Sequence, residues 1–477
     1  MVEKVTFAGR ILMLGFGSVG QCTLPVLPRH FDIPASRISV IDADDHVRQF
    51  APFEAMGMHY LQVRLTPGNL EGVLAQHAGP GDLIINLTAG VDAISIMNWC
   101  QRRGVLYVDT SLEPWAELYE DTTLPAWQRT HYESHETIRA HARSEWRPDG
   151  PTCVVTHGAN PGMVNHFVKE ALLTIARRTG KAPRTTPRTR EEWAALAQAT
   201  GTKVIHIAER DTQRSSIPKQ PDEFVNTWSV LGYWGEAYYP AELGWGSHEK
   251  MLPPKGQHFT HGPGNCIYML QPGGQTLVRS WVPDGGPIYG FVISHSESVT
   301  LSDYFTVYDK GRPVYRPTVH YAYHPTTDAI VSLRELMMRD WTAPERERIL
   351  QDDIVDGIDE LGVLLMGHDL GAFWYGSQLS IHEAREIIPG QNATAVQVVA
   401  GVISAAVWAV KNPRRGYCEP ESLPHDEILE IARPYLGPMV GVETDWTPLK
   451  DRSRMFPEPW LDRNDPWQFS NFLLRTA

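Results

Sequence analysis

Gly15, Gly17 and Gly20, in the run Gly15-Phe16-Gly17-Ser18-Val19-Gly20, have the spacing that holds a pyrophosphate. An apolar run, Arg10-Ile11-Leu12-Met13-Leu14, leads into them, and Ile38-Ser39-Val40-Ile41-Asp42 follows. In a strand-turn-helix unit the first glycine permits the tight turn, the second admits the phosphates to the backbone, and the third lets helix and strand pack closely. Ser18 and Val19 then open a helix whose free N–H groups and positive dipole end face the phosphates. Asp42 lies 22 positions after Gly20. An acid at that strand tip hydrogen-bonds both ribose hydroxyls of NAD and repels the 2′-phosphate of NADP. Asp44 and Asp45 add to the repulsion, and Arg48 is the only nearby cation that argues otherwise.

A second constellation runs from Ile205 to Lys250, where Glu209, Asp211, Glu236 and Glu242 interleave with Trp228, Tyr233, Trp234, Tyr238, Tyr239 and Trp245. Carboxylates attract ammonium groups, and an aromatic face stabilises a desolvated cation by roughly 0.5 to 2 kcal/mol. Such a pocket suits an amine or iminium. The same composition also describes core aromatics beside solvated acids, and both readings stand at this level. His157, before a glycine turn, and His295, in Ser294-His295-Ser296-Glu297-Ser298, are proton carriers near neutral pH or polar histidines held by ordinary hydrogen bonds. No HxH or HExxH cluster, GxSxG elbow or phosphate-binding GxxxxGK[ST] loop occurs, so no metal site is expected.

Strands alternating with helices must position the first constellation. Strands are expected at Ile11–Leu14, Ile38–Ile41, Tyr60–Val63, Leu83–Leu87, Leu106–Val108 and Cys153–Thr156, with a helix at Val91–Arg103 stopped by Gly104. Ligands of such sheets sit beyond the carboxyl ends of the strands, which brings Thr88, Ala89, Asp109, Thr110 and Glu113 toward the cofactor. After residue 155 the pattern changes. A helix from Met163 to Arg178 leads into a basic, proline-containing loop over 178–190, read as solvated rather than as a nucleic-acid contact. Short β-rich segments at Val204–Ala208, Phe291–Ser294 and Ser298–Tyr308 predict a mixed sheet, with helices to follow. Ala393–Val410 is the longest apolar stretch, and its Gln397, Ser404 and small residues predict a buried helix rather than a membrane span.

At 477 residues the chain is too long for one simple core, which predicts two or three domains. With 42% hydrophobic and 21% charged residues it is ordinary globular material rather than a disordered chain. Its 56 acids against 43 bases disfavour a nucleic-acid partner. Five cysteines, at 22, 100, 153, 266 and 418, lack ligand spacing and predict reduced thiols in the cytoplasm. The N-terminus runs almost directly into the first strand, so no signal peptide is expected.

Gly158-Ala159-Asn160-Pro161-Gly162, followed by Met163-Val164-Asn165, resembles the Gly-x-x-Pro-Gly turn of the saccharopine dehydrogenase-like oxidoreductases. More specifically, GRILMLGFGSVGQCTLPVL (9–27), HGANPGMVNHFVKEAL (157–172), AERDTQ (208–213), NTWSV (226–230) with GYWGEA (232–237), GFVISHSES (290–298), GHDLGAFWYGSQLS (367–380) and NATAVQVVAG (392–401) are similar to the bacterial homospermidine synthase family. The resemblance covers nearly the whole chain. It implies an α/β protein with a Rossmann-type doubly wound parallel sheet in an NAD-binding domain, residues 1–155, completed by a returning helix over 393–413. A second α/β domain with a mixed sheet, 156–390, would bind substrate and form a homodimer, and 414–477 would be an extension packing on both.

The resemblance also implies NAD-dependent transfer of a 4-aminobutyl group from putrescine, or spermidine, to putrescine. The product is sym-homospermidine, with ammonia or diaminopropane leaving after oxidation to an iminium, amine exchange and re-reduction. Glu209 and Glu236 would hold ammonium groups, Trp228 would face the iminium, and His295 would shuttle protons or orient the amine. Gly158, Asn160, Pro161, Gly162 and Asn165 would shape the nicotinamide end, with Glu113 as a further acid. No nucleic acid or membrane is implied. The rival reading is an NAD(P)-linked dehydrogenase of the saccharopine or carboxynorspermidine type, whose carboxylate substrates need converging cations; Arg210, Arg214, Lys219 and Lys250 make no obvious cluster. A non-catalytic NAD-binding protein would not need the acid-aromatic segment.

Overall fold

The computed structural model describes residues 4–118, 121, 123–453 and 455–474. The chain forms two compact units: 1–123, 134–163 and 383–436 make the first, and 124–133, 164–382 and 437–477 the second.

The first unit is built on a parallel sheet of seven strands among the described residues. Their order is Tyr417–Cys418, Cys153–Val154, Leu106–Asp109, Leu83–Asn86, Ile11–Leu14, Ile38–Asp42 and His59–Gln62. The central strands are buried on both faces, which is why they read as continuous apolar runs rather than as alternation. Helix Ala93–Arg103 covers the sheet; the Asp92 carboxylate caps its start and left-handed Gly104 ends it. Helix Ala393–Lys411 has the length and hydropathy of a membrane span, yet 89% of its apolar window is buried. It packs on the helix Ser18–Thr23 and on strands Leu83–Asn86 and Leu106–Asp109, as a core helix of this unit.

The second unit carries a mixed sheet of ten strands among the described residues. Its centre is the parallel pair Val204–Asp211 and Thr318–His324, flanked by antiparallel strands that include Pro240–Gly244, Ile358–His368 and Gly371–Ser380. The parallel register sets Ile207 beside Tyr321 and Glu209 beside Tyr323, so with a side-chain period of two these residues share one face. His206 and His320 share the other, their ring centroids 4.0 Å apart, against Phe469 and Phe472 near the C-terminus.

Three local expectations change. Ser298–Tyr308 is strand only from Val307: Ser296–Tyr304 is a helix, buried from Ser296 to Ser302 on every side. A helix with no solvent face shows no 3.6-residue alternation, and its Val299 and Thr300 imitate strand composition. The strand expected at Phe291–Ser294 is Gly286–Phe291. Finally, the residues from 414 onward are no single extension, because 414–436 belong to the first unit and 437–477 to the second. Three cations of the basic loop are ion-paired to acids outside it: Arg178 meets Glu443, Lys181 meets Asp369 and Arg190 meets Asp303.

Candidate active site

In the first unit, the glycine turn is shaped for a pyrophosphate. Gly15 takes a φ of +94°, and a Cβ there would lie 2.6 Å from the Leu87 carbonyl oxygen. A Cβ on Gly20 would lie 2.4 Å from the carbonyl oxygen of Gly15, so both glycines are required by the protein's own packing. Gly17 differs: a Cβ there would meet nothing within 4 Å, which leaves open the side a phosphate approaches. Gly17 begins the helix Ser18–Thr23, and no side chain caps it. Asp42 ends its strand with one carboxylate oxygen accepting the Phe16 N–H and the other accepting the Asp44 N–H. Each oxygen has a second lone pair, which suits a pair of ribose hydroxyls. The residues present therefore fit a dinucleotide. Among the described residues Asp42, Asp44 and His46 also place ligand atoms within 4.8 Å of one another. These belong to the same strand tip, and the two backbone N–H bonds already orient the Asp42 carboxylate.

Beyond the neighbouring strand ends the placements are mixed. Ala89 is exposed and Thr88 half-buried, the Thr88 hydroxyl donating to Asn86 Oδ1. Thr110 and Glu113 are half-buried, and Glu113 accepts from the Ser111 hydroxyl. Asp109 was expected beside the cofactor, but its carboxylate points into the protein. It is fully buried, accepting the Thr156 N–H and the Tyr107 hydroxyl, and burial pushes it up to about 8. The surroundings of His157 favour a histidine held by ordinary hydrogen bonds over a proton carrier. Burial pushes its imidazole down to about 4, and Nδ1 is bound to the Gly401 carbonyl. Asn160, Pro161 and Gly162 form the turn closed by the Gly158 N–H on the Pro161 carbonyl.

In the second unit, Glu209, Trp228, Glu236 and His295 form one connected cluster although 86 residues separate the first from the last. His295 is buried between two carboxylates, with Nε2 3.1 Å from Glu236 and Nδ1 3.0 Å from Glu297. Burial alone would lower its pKa; the charges of Glu297 and Glu236 outweigh it and hold the imidazole well above its usual value. Burial raises Glu236, and His295 partly opposes the rise. Glu236 retains 18% side-chain exposure through which a ligand could reach the trio.

The His295 ring also lies 4.4 Å from that of Tyr321, whose hydroxyl makes a short hydrogen bond to Glu209. Burial and the Glu209 charge raise Tyr321 far above its normal range, so it stays a donor. Tyr321 stacks on Tyr323 at 5.0 Å, and the Tyr323 hydroxyl accepts the Trp228 indole N–H at 3.1 Å. The helix Val230–Tyr238, capped by Ser229, delivers Glu236, and its Gly232 leaves room for the Trp228 ring, which a Cβ would approach to 2.9 Å. Glu242 is fully buried and accepts from Ser294 and from the His131 and Tyr132 N–H groups; burial pushes it up to about 7. Asn165 is fully buried on the helix Met163–Arg178.

Sequence reasoning missed Glu297, Tyr321 and Tyr323. Glu297 lay between two expected strands, Phe291–Ser294 and Ser298–Tyr308. The two tyrosines carried an i, i+2 signal on a strand, which marks a shared face.

A parallel sheet with a dinucleotide cradle, followed by a mixed-sheet unit holding buried acids, an imidazole and an indole, defines a nicotinamide-dependent enzyme of two units. The model of the saccharopine dehydrogenase NADP binding domain matches residues 11–154, and that of the saccharopine dehydrogenase C-terminal domain matches 158–444. The chain belongs, more narrowly, to the homospermidine synthase family. It is 48% identical over 477 residues to homospermidine synthase of Blastochloris viridis, covering 98% of both chains. It is 44% identical to that of Mesorhizobium japonicum, over 98% of this chain and 96% of that one. The crystal structure of homospermidine synthase from Legionella pneumophila in complex with NAD superposes with a TM-score of 0.92, at 41% identity and 99% coverage of each chain. The Legionella pneumophila structure holds NAD, and Asp42 at the strand tip favours that cofactor over the NADP in the description of the N-terminal family model.

Proposed function

We propose that this chain transfers a 4-aminobutyl group from putrescine, or from spermidine, to putrescine, giving sym-homospermidine with release of ammonia or diaminopropane. The observation that carries the reading is the buried Glu236–His295–Glu297 trio, joined through Tyr321 and Tyr323 to Glu209 and Trp228. A dehydrogenase acting on a carboxylate substrate needs cations there, and this cluster supplies anions. NAD, held by Gly15, Gly17, Ser18, Val19, Gly20 and Asp42, with Thr88, Ala89, Thr110 and the Gly158–Gly162 turn bordering it, supplies reversible hydride removal from the carbon beside the reacting amine.

The protein's own groups do the rest. Glu209 and Glu236 hold the substrate's ammonium ends. Trp228 offers its ring face to the iminium carbon, where the charge develops. His295, kept protonated by its two carboxylates, acts as the acid that gives a proton to the departing amine. In this reading the enzyme is a cytoplasmic homodimer: the resemblance supports the dimer, and five buried thiols support a reducing compartment.

The test is to incubate the purified protein with putrescine and NAD⁺ far below the concentration of product sought, following polyamines and NADH absorbance. Homospermidine in many-fold excess over NAD⁺, without net NADH, is expected. NADH rising in step with an oxidised amine would make the protein a dehydrogenase. Glu236→Gln is expected to raise the KM for putrescine by about tenfold or more, the scale of one buried charge-assisted contact. NAD⁺ affinity, measured by direct titration, should stay within about twofold; equal weakening of both would move Glu236 to the cofactor.

A further inference from the structure

We propose that Asp109 is a positioning residue for the cofactor. Its buried carboxylate holds Thr156 in a left-handed conformation, and that corner sets the Gly158–Gly162 turn. The inference rests on the reading that this turn borders the bound nicotinamide.

Thr156 lies two residues beyond the strand Cys153–Val154 and takes a φ of +51°. A β-branched residue rarely adopts that region, because its Cβ substituents crowd the backbone, and such outliers persist only where the surroundings impose them. Nothing in the Thr156 side chain favours it: the hydroxyl is buried and has no hydrogen-bond partner among the described residues. The constraint comes from Asp109 on both sides of the corner. Its carboxylate accepts the Thr156 N–H, and its backbone carbonyl accepts the His157 N–H at 2.8 Å.

The next links are equally short of slack. His157 Nδ1 is fixed 3.0 Å from the Gly401 carbonyl. A Cβ on Gly401 would lie 2.0 Å from the Gly158 oxygen, so the turn rests directly on the helix backbone. The Gly158 N–H bonds the Pro161 carbonyl, and the Met163 N–H bonds the Gly158 carbonyl. A rotation at Thr156 therefore has no joint at which to be absorbed before Gly162. On its other side Asp109 accepts the Tyr107 hydroxyl at 2.8 Å; Tyr107 accepts from Asn86 at 3.0 Å, and Asn86 accepts from Thr88 at 2.7 Å. One buried network thus fixes three neighbouring strand ends.

The experiment titrates NAD⁺ into wild type, Asp109→Ala and Asp109→Ala/Thr156→Gly, with kcat, KM and Tm recorded for each. Asp109→Ala is expected to raise the NAD⁺ Kd about tenfold or more, since the corner is then free to relax. Glycine adopts a φ of +51° without being held, so the double variant is expected to recover most of the NAD⁺ affinity while Tm stays low. That split separates positioning from loss of a buried group. A double variant that binds NAD⁺ no better than Asp109→Ala overturns the proposal, and so does an Asp109→Ala Kd within twofold of wild type. Should Asp109→Ala not fold, Asp109→Asn, a weaker acceptor, carries the same comparison with and without Thr156→Gly. A folded wild type that fails to bind NAD⁺ would instead overturn the cofactor reading on which the proposal stands.

Discussion

Trp228→Ala is expected to lower kcat with putrescine by at least about 30-fold, while Trp228→Phe retains partial turnover. A desolvated cation–π contact is worth about 2 kcal/mol or more, and each 1.36 kcal/mol of transition-state stabilisation is about tenfold in rate. The effect belongs in kcat because the positive charge beside the ring is greatest as the iminium forms, whereas the diamine's resting ammonium groups are held by carboxylates. Phenylalanine keeps a weaker π face but loses the indole N–H that Tyr323 accepts. The ring is then aimed less firmly, which predicts an intermediate rate. NAD⁺ affinity of both variants serves as the control and should be unchanged. An alanine variant turning over near the wild-type rate would remove the cation–π role and leave Trp228 as packing.

Why the cofactor half was easier to read than the substrate half follows from where the determinants lie in the chain. Gly15, Gly17, Gly20 and Asp42 fall within one strand-turn-helix-strand stretch, and each demand is local: a positive φ at Gly15, an open side at Gly17, an acid at a strand tip. The site in the second unit is assembled by register. Glu209 meets the tyrosines only because strands more than a hundred residues apart pair in parallel, with Glu209 beside Tyr323. Glu297 reaches His295 from the start of a helix whose burial on all sides erased its periodicity. The types of residue were legible, and Glu209, Trp228, Glu236 and His295 were chosen for charge and aromatic character alone. Their partners were not, because partnership is a property of the sheet. Asp109 illustrates the reverse error: position at a strand end suggested a ligand contact, while its environment turned the carboxylate inward.

His295→Gln is expected to cost about 10²-fold or more in kcat, the usual scale for a positioned acid or base. It should also change the pH dependence of both activity and stability. In the folded protein the imidazole sits well above 6.5, because Glu297 and Glu236 outweigh the effect of burial. A group whose folded pKa is raised contributes stability that is complete below its unfolded value and is lost as pH rises through the folded one. The trio's contribution is thus fully present below about pH 6.5 and declines above it. Glu236, also raised in the folded protein, tilts stability in the same direction, with its contribution complete at lower pH. Glutamine cannot bind the proton, so Tm of the variant should fall less than that of wild type as pH is raised from 6.5. Activity follows the same sign: an acid that must be protonated loses rate on the alkaline side, and the wild-type alkaline limb should flatten in the variant's residual turnover. The Tm arm is independent of chemistry. If wild type and variant show parallel Tm profiles above pH 6.5, His295 is not the charged centre of the trio, and the acid assigned to amine departure must be sought elsewhere, with buried Glu242 at about 7 the next group to test.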